Sequence, residues 1–178
     1  MPEYRRAVKK NITHLPGIAA FCDDMRDALK GNHGYKASQG FVSGLALREE
    51  AVKFGIVAAT WHPQIVYSFV ESSPEPWASE PAQCVNYVSC HDNYTLYDKL
   101  RMSRPEASGE ELRRMVKLAG AILLTSQGVP FLHAGMEFCR SKEGHGNSYK
   151  SPDSVNQLDW CARHDYADVN DYYIRLIR

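Results

Sequence analysis

Short apolar runs that lead into polar residues recur along the chain. Three of them, at 17–21, 84–89 and 129–132, have about the length of a strand and are mostly apolar. Runs of this kind predict strands of a buried sheet. The second run leads directly into Cys90, His91, Asp92 and Asn93. The sequence therefore predicts three strands with polar chemistry at their C-terminal ends.

Helical periodicity is clearest at 109–126. Apolar side chains recur there every three or four residues, which places them on one face of a helix. Ser108 and Glu111 have the spacing of a capping box, which fixes the start of this helix, and Gly128 follows its end. Weaker patterns predict helical structure at 1–12, 25–30, 45–59, 95–100 and 169–178, and loops at 31–44, 72–83 and 134–157.

The alternation of strands and helices predicts an α/β fold with a parallel sheet. In such folds, and in (β/α)8 barrels in particular, ligands bind at the C-terminal ends of the strands. The chain of 178 residues is long enough for one domain with its own core. The polar residues after the predicted strands are therefore the first place to look for function.

Composition excludes several classes of partner. The 21 basic and 21 acidic residues cancel, so no overall field attracts nucleic acid or an anionic membrane. No apolar run reaches the roughly 18–20 residues that span a bilayer. The five cysteines are widely spaced and odd in number, which argues against a disulfide framework or a structural zinc site. Free thiols favour a reducing, cytoplasmic location, but export of a longer protein stays open.

His91 and Asp92 carry the strongest chemical candidate, and three interpretations compete for them. An HD-type metal phosphohydrolase would need further His and Asp ligands on helices, whereas this pair follows a strand. A purely structural His–Asp hydrogen bond is the second interpretation. The third is a sugar site, because glycosidic cleavage passes through an oxocarbenium-like transition state that a carboxylate stabilises.

The polar segment 140–160 is the second candidate. It combines aromatic rings, which stack on sugar rings, with amide, carboxylate and guanidinium groups, which pair with hydroxyls. The side chains of interest are Arg140, Tyr149, Asp153 and Asn156. Composition alone leaves a sugar-binding loop and a generic polar loop equally open. No GxGxxG, P-loop or GxSxG motif is present in the sequence, so no motif supports nucleotide binding or serine hydrolysis.

Taken together, these segments resemble one family. "VNYVSCHDN" is similar to a motif of the α-amylase superfamily of glycoside hydrolases that ends barrel strand seven in a His-Asp pair. "GVPFLHAGMEFCRSKEGHGNSYKSPDSVNQLDW" resembles strand eight and the following loop of type I pullulanases, and "FCDDMRDALKG" with "GFVSG" resembles their strand-six region. The resemblance covers essentially the whole chain, and the block 128–160 is its most specific part.

The resemblance implies a role for each matching residue. Asp92 would be the assisting catalytic carboxylate that stabilises the transition state, His91 would bind sugar hydroxyls, and Asn93 would line the site. The four side chains of the segment 140–160 would shape the substrate-binding subsites. The expected partner is an α-glucan. No cofactor is expected to be required, no metal ligand is assigned, and calcium is allowed because many family members bind it.

The resemblance also implies that parts of the machinery lie elsewhere. No segment matches the family's nucleophile or its acid/base, so residues 1–178 are expected to be a piece of one catalytic (β/α)8-barrel domain, truncated at both ends and inactive alone. The parent protein would cleave α-1,6-glucosidic bonds in pullulan-type glucans with retention. An isoamylase or glycogen-debranching enzyme and a non-catalytic carbohydrate-binding remnant are the alternatives.

Overall fold

A three-stranded parallel sheet lies at the centre of the computed structural model, which describes residues 6–178. The strands are β1 (Ala20–Phe21), β2 (Cys84–Tyr87) and β3 (Val129–Phe131), and β2 lies between the other two. The helices are α1 (Asp23–Lys30), α2 (Glu49–Ile56), α3 (Leu96–Ser103), α4 (Gly109–Thr125), α5 (Asp153–Asn156), α6 (Ala162–Asp165) and α7 (Ala167–Ile177).

All three predicted strands exist, and both pairings are parallel, which confirms the α/β prediction. Each strand is shorter than its apolar run. β3 contains Pro130, which has no N–H to donate to a ladder, at its central position. β1 pairs through Ala20 and Phe21 alone and lies at one edge of the sheet. Consecutive parallel strands place their C-terminal ends on the same side of the molecule.

The two faces of the sheet differ in their surroundings. On one face, Asn86 is fully buried and its side-chain amide donates to the backbone oxygens of Gly55 and Gln127, each at 2.8 Å. These bonds tie β2 to the ends of α2 and α4. The opposite face carries an aromatic cluster in which the ring of Phe21 packs edge-on against Tyr87 and Phe131. Phe21 remains 45% exposed, so this face is only partly covered within the described residues.

Helix α4 confirms the clearest sequence prediction. The Ser108 hydroxyl accepts from the backbone N–H of Glu111, and the Glu111 carboxylate accepts from the N–H of Ser108, which together form the predicted capping box. Its apolar face is buried at Leu112, Val116, Ala119 and Leu123. The helix ends at Thr125, three residues before the glycine that was predicted to follow it.

Helix α7 docks on α4 through one tyrosine. The ring of Tyr173 lies directly over Gly120, where any Cβ would overlap the ring and hydroxyl. The Tyr173 hydroxyl donates to the backbone oxygen of Val116 at 2.9 Å, in the same helix. A glycine costs helix stability relative to alanine, so its presence inside α4 is explained by this close approach.

Several segments differ between the prediction and the structure. The predicted helix at 1–12 is wrong over its described part, because a 3₁₀ helix spans Lys9–His14 instead; residues 1–5 lie outside the described residues. The helix predicted at 45–59 is shorter and begins at Glu49. The predicted loop 134–157 contains a 3₁₀ turn at Met136–Phe138 and the short helix α5. The polar stretch after it forms α6, which no periodicity predicted.

Two further expectations can be compared with the structure. All five cysteines are free, as their spacing predicted. Within residues 6–178, no helix combines the length and the apolar character that crossing a membrane would require.

Candidate functional site

The His91–Asp92 pair lies on a turn just after β2. Both side chains project into solvent, with exposed fractions of 86% and 71%, and His91 Nε2 lies 3.4 Å from the Asp92 carboxylate. The pair is thus presented at the C-terminal edge of the sheet, where the sequence predicted it. The exposure argues against the purely structural interpretation, because a buried hydrogen bond would have withdrawn both groups from solvent.

Asn93 shapes the turn. Its backbone has φ of 63°, in the left-handed region that asparagine tolerates better than most residues. Cys90, on the other side of the pair, is half-buried, and its thiol is directed at the backbone oxygen of Asp92, with an S···O distance of 3.7 Å. The chain therefore bends sharply over 90–93, and consecutive side chains no longer alternate as they would in a strand.

Two buried lysines fix the backbone of this turn. The Lys142 ammonium donates to the backbone oxygen of His91 at 2.8 Å, and the Lys30 ammonium donates to that of Tyr94 at 3.1 Å. Both side chains are almost fully buried. Burial, followed by the nearby charge of Arg26, lowers the pKa of Lys30 to about 8. The carbonyls at both ends of the turn are thus held by cations from other parts of the fold.

Asp98 completes a clasp between the turn and the segment that follows β3. This buried carboxylate, on α3, accepts from the Ser141 hydroxyl at 2.5 Å and from the backbone N–H of Lys142 at 2.7 Å. Lys142 in turn holds the backbone oxygen of His91. Helix α3 therefore positions the turn through the segment that follows β3. Hydrogen bonds to ionised groups are about twice as strong as neutral ones, which suits this anchoring role.

His133 links the ends of β2 and β3. Its Nε2 lies 3.3 Å from an Arg140 nitrogen, and its Nδ1 lies 3.1 Å from the Ser89 hydroxyl. Burial, reinforced by the charges of Arg140 and Lys142, lowers the pKa of His133 to about 4. The ring is neutral near pH 7. Since the guanidinium can only donate, Nε2 accepts, and the proton is on Nδ1.

Arg140 and Asn156 mainly organise their own loop. Arg140 donates to the backbone oxygens of Ala134 and Asn156, in addition to His133. The Asn156 side-chain amide donates to the backbone oxygens of Ser148 at 2.7 Å and Ser151 at 3.0 Å. Most of their polar atoms therefore satisfy backbone groups, as turns and loops require. The predicted sugar contacts of these two residues stay predictions.

Tyr149 and Asp153 are the outward-facing members of the same loop. Tyr149 is 75% exposed, with the Lys150 ammonium 5.2 Å from its ring centre. Asp153 is the exposed first residue of α5. Both side chains are accessible to a ligand in solution, and their predicted sugar contacts likewise stay predictions.

A second polar network lies at the end of β1. The Tyr87 hydroxyl donates to Asp23 at 2.6 Å, and Arg26 donates to both that hydroxyl and the same carboxylate, at 2.7 and 3.1 Å. Burial opposes the charge on Asp23, but hydrogen bonds from Lys9 and Tyr87 outweigh it and lower the pKa of its carboxyl. The neighbouring strand end is thus also occupied by charged groups.

Sequence reasoning missed the residues that hold the site in place. Lys30, Lys142 and Asp98 had no assigned role, because each acts on a partner far away in the chain. For Asp98, its place between Leu96 and Leu100 on one short amphipathic helix was an available indication of burial. For Lys142, within a polar loop, no local pattern gave one.

Comparison with known proteins supports the expected family. A pullulanase from Bacillus subtilis is 39% identical over 177 residues, which is 99% of this chain and 23% of that protein. The crystal structure of a mutant pullulanase from Paenibacillus barengoltzii complexed with maltotetraose superimposes with a TM-score of 0.90 at 47% identity, over 99% of this chain and 26% of that one. No protein-family model matches the chain.

Over nearly its whole length, this chain is homologous to type I pullulanases. It spans about a quarter of the length of these two pullulanases. An isoamylase from a Flavobacterium species is more distant, at 27% identity over 81% of this chain and 22% of that protein. The pullulanase homology agrees with the segments that suggested it, including the turn that presents His91 and Asp92.

Proposed function

We propose that this chain is part of a debranching glycoside hydrolase that cleaves α-1,6-glucosidic bonds in pullulan-type α-glucans with retention. The observation that carries the proposal is the exposed His91–Asp92 pair at the C-terminal edge of a parallel sheet, in a chain homologous to pullulanases. A solved relative from Paenibacillus barengoltzii is complexed with maltohexaose and α-cyclodextrin, which supports an α-glucan ligand.

Asp92 is the assisting carboxylate in this proposal. Cleavage builds positive charge on the sugar ring, and an ionised carboxylate beside it stabilises that charge. His91 binds hydroxyls of the sugar being cleaved, and Asn93 lines the site. The clasp formed by Asp98 and Lys142 keeps the turn in one conformation, so that little entropy is lost when the glucan binds.

The four loop residues have graded roles. Tyr149 and Asp153 are accessible and would contact the glucan directly, the ring by stacking and the carboxylate by hydrogen bonding. Arg140 and Asn156 would act mainly by shaping the loop that carries them.

The architecture proposed for the parent protein is a (β/α)8 barrel. Three parallel strands with helices between them, and coverage of 23% of the Bacillus subtilis pullulanase, support this chain as one portion of such a catalytic domain. A retaining enzyme needs a nucleophile and an acid/base about 5–5.5 Å apart. We assign neither to a residue of this chain, so hydrolysis would depend on carboxylates from the remainder of the barrel. A required cofactor is not proposed, and calcium is kept as an accessory ion without assigned ligands.

The test is hydrolysis of pullulan, followed by reducing-sugar release. We expect no release above background from the purified 178-residue chain, and release from a longer protein that also contains the family's nucleophile and acid/base. In that protein, Asp92→Asn should lower kcat by roughly 10²- to 10³-fold, as loss of a stabilising group does elsewhere. A preference for glycogen over pullulan would favour an isoamylase-type enzyme instead. Full activity of Asp92→Asn would refute the assigned role.

A further inference from the structure

The turn after β2 brings together three different donor groups. The Cys90 sulfur, a His91 ring nitrogen and an Asp92 carboxylate oxygen all lie within 4.8 Å of one another. Across residues 6–178, no other group of three His, Cys, Asp or Glu side chains comes this close. We propose that Cys90, His91 and Asp92 form a binding site for a borderline-soft divalent cation of the Zn²⁺ class.

The bend in the backbone makes this arrangement possible. In an extended strand, His91 would point away from its two neighbours. Here the chain turns over 90–93, and the three side chains converge on one side. The 3.4 Å separation of His91 Nε2 and an Asp92 oxygen matches the edge of a tetrahedron whose metal–ligand bonds are about 2.0–2.2 Å. The Cys90 sulfur would need only to move toward the ion bound by these two atoms to become its third ligand.

The site is accessible and its backbone is already fixed. The exposure of His91 and Asp92 lets a hydrated ion enter and leaves a position for water as the fourth ligand. Lys142 and Lys30 hold the carbonyls at 91 and 94, so the turn need not be ordered when the ion binds. A preorganised ligand set loses less entropy on binding.

The charge balance is compatible with the two lysines nearby. An approaching dication is repelled by their ammonium groups. On binding, however, the Cys90 thiol releases its proton to solvent and a sulfur–metal bond forms, so one thiolate and one carboxylate neutralise the two positive charges of the ion. The lysines then face a neutral cluster.

The donor set also selects among cations. Calcium and magnesium prefer oxygen ligands only and higher coordination numbers. A combination of sulfur, imidazole nitrogen and one carboxylate suits Zn²⁺ and its spectroscopic substitute Co²⁺. This site is therefore separate in kind from any accessory calcium.

Titration of the purified chain with Co²⁺ tests the proposal. We expect one equivalent to bind, with tetrahedral visible bands and a thiolate-to-cobalt charge-transfer band that Zn²⁺ abolishes by displacement. Cys90→Ser should remove the charge-transfer band. His91→Ala and Asp92→Asn should each weaken Co²⁺ binding by about tenfold or more. Mutation of residues that merely hydrogen-bond to metal ligands already lowers metal affinity by about that factor. Cys161→Ser, which removes an exposed cysteine elsewhere, is the matched control and should bind normally.

Two outcomes overturn the proposal. One is a charge-transfer band that survives in Cys90→Ser or disappears in Cys161→Ser. The other is no stoichiometric binding to a chain whose circular dichroism shows it to be folded. Circular dichroism of each variant separates loss of a ligand from loss of the fold.

A consequence for catalysis rests on the proposed function. An ion bound here occupies His91 and Asp92, so Zn²⁺ should inhibit pullulan hydrolysis by the longer protein in competition with the glucan. Cys90→Ser should raise the inhibitory Zn²⁺ concentration by about tenfold or more, measured relative to the variant's own rate without Zn²⁺. Cobalt binding to the chain without any pullulan hydrolysis by the longer protein would refute the function and leave the metal site standing.

Discussion

The turn 90–94 and the loop 134–157 are both polar segments that follow strands, yet they use their polar groups in opposite ways. In the turn, the side chains of His91 and Asp92 face solvent, while lysines from elsewhere hold the backbone. In the loop, Arg140 and Asn156 turn their side chains inward to hold the loop's own backbone. The first arrangement leaves the Asp92 carboxylate, on a backbone held by other parts of the fold, free for a ligand.

The difference shows how a polar side chain is freed for chemistry when another group satisfies the backbone around it. Buried backbone groups must be paired, and a segment without regular structure has to find partners for them. The turn borrows partners from α1 and from the loop that follows β3, whereas that loop uses its own Arg140 and Asn156 together with Asp98 of α3. The two arrangements should therefore differ in how much each polar group contributes to the free energy of unfolding.

Loss of Asp98 should have the largest effect on stability. Asp98→Ala removes the acceptor of two hydrogen bonds and leaves the buried N–H of Lys142 without a partner. We expect a loss of about 3 kcal/mol, since hydrogen bonds to charged groups contribute about 1.5–3 kcal/mol each. Urea unfolding measures it. Asp98→Asn keeps one acceptor oxygen and should lose less stability. Equal losses for the two variants would contradict the two hydrogen bonds that the Asp98 carboxylate accepts.

Loss of the Lys142 ammonium should have an intermediate effect. Lys142→Met keeps the buried stem but leaves the His91 carbonyl without its donor. We expect a loss of about 1–2 kcal/mol in urea unfolding, because one hydrogen bond is removed and one buried acceptor remains. Lys150→Met, an exposed lysine of the loop, is the control and should stay within about 0.5 kcal/mol of the parent. Similar losses of unfolding free energy in Lys142→Met and Lys150→Met would contradict a specific role of the buried Lys142 ammonium.

Loss of the Asp92 charge should have the smallest effect. The carboxylate is 71% exposed, so Asp92→Asn should change the free energy of unfolding by less than about 0.5 kcal/mol. A loss above about 1 kcal/mol would mean that the pair is structural, which is the interpretation that its exposure disfavours. We therefore expect the largest difference in unfolding free energy between Asp92→Asn and Asp98→Ala, which change two carboxylates six positions apart.

The sequence predicted what depends on neighbours in the chain. The capping box of Ser108 and Glu111 spans three residues, and the helix it begins was predicted nearly in full. The parallel sheet followed from the order of elements, and the pullulanase homology agrees with the motif around His91 and Asp92. The position of that pair at the C-terminal end of a strand was predicted, because the polar residues follow an apolar run, whereas its exposure was left open.

What depends on distant partners was not predictable in the same way. Lys142 acts on a carbonyl 51 residues earlier in the chain, and Asp98 acts on a backbone N–H 44 residues later. Periodicity reports which face of an element is apolar and gives no information about such pairs. For the loop 134–157 the sequence offered only its composition. Composition could not tell that the Asn156 side chain donates to a backbone oxygen of the same loop, whereas the Tyr149 side chain faces solvent.

The contact between Gly120 and Tyr173 has an evolutionary consequence. Because the ring occupies the space of a side chain at 120, the two positions cannot change independently. A bulkier residue can be accepted at 120 only in a background that has already lost the ring at 173, whereas loss of the ring leaves a gap that a larger residue at 120 could fill. In a lineage that starts from Gly120 and Tyr173, the order of the two substitutions is therefore constrained, and position 173 changes first.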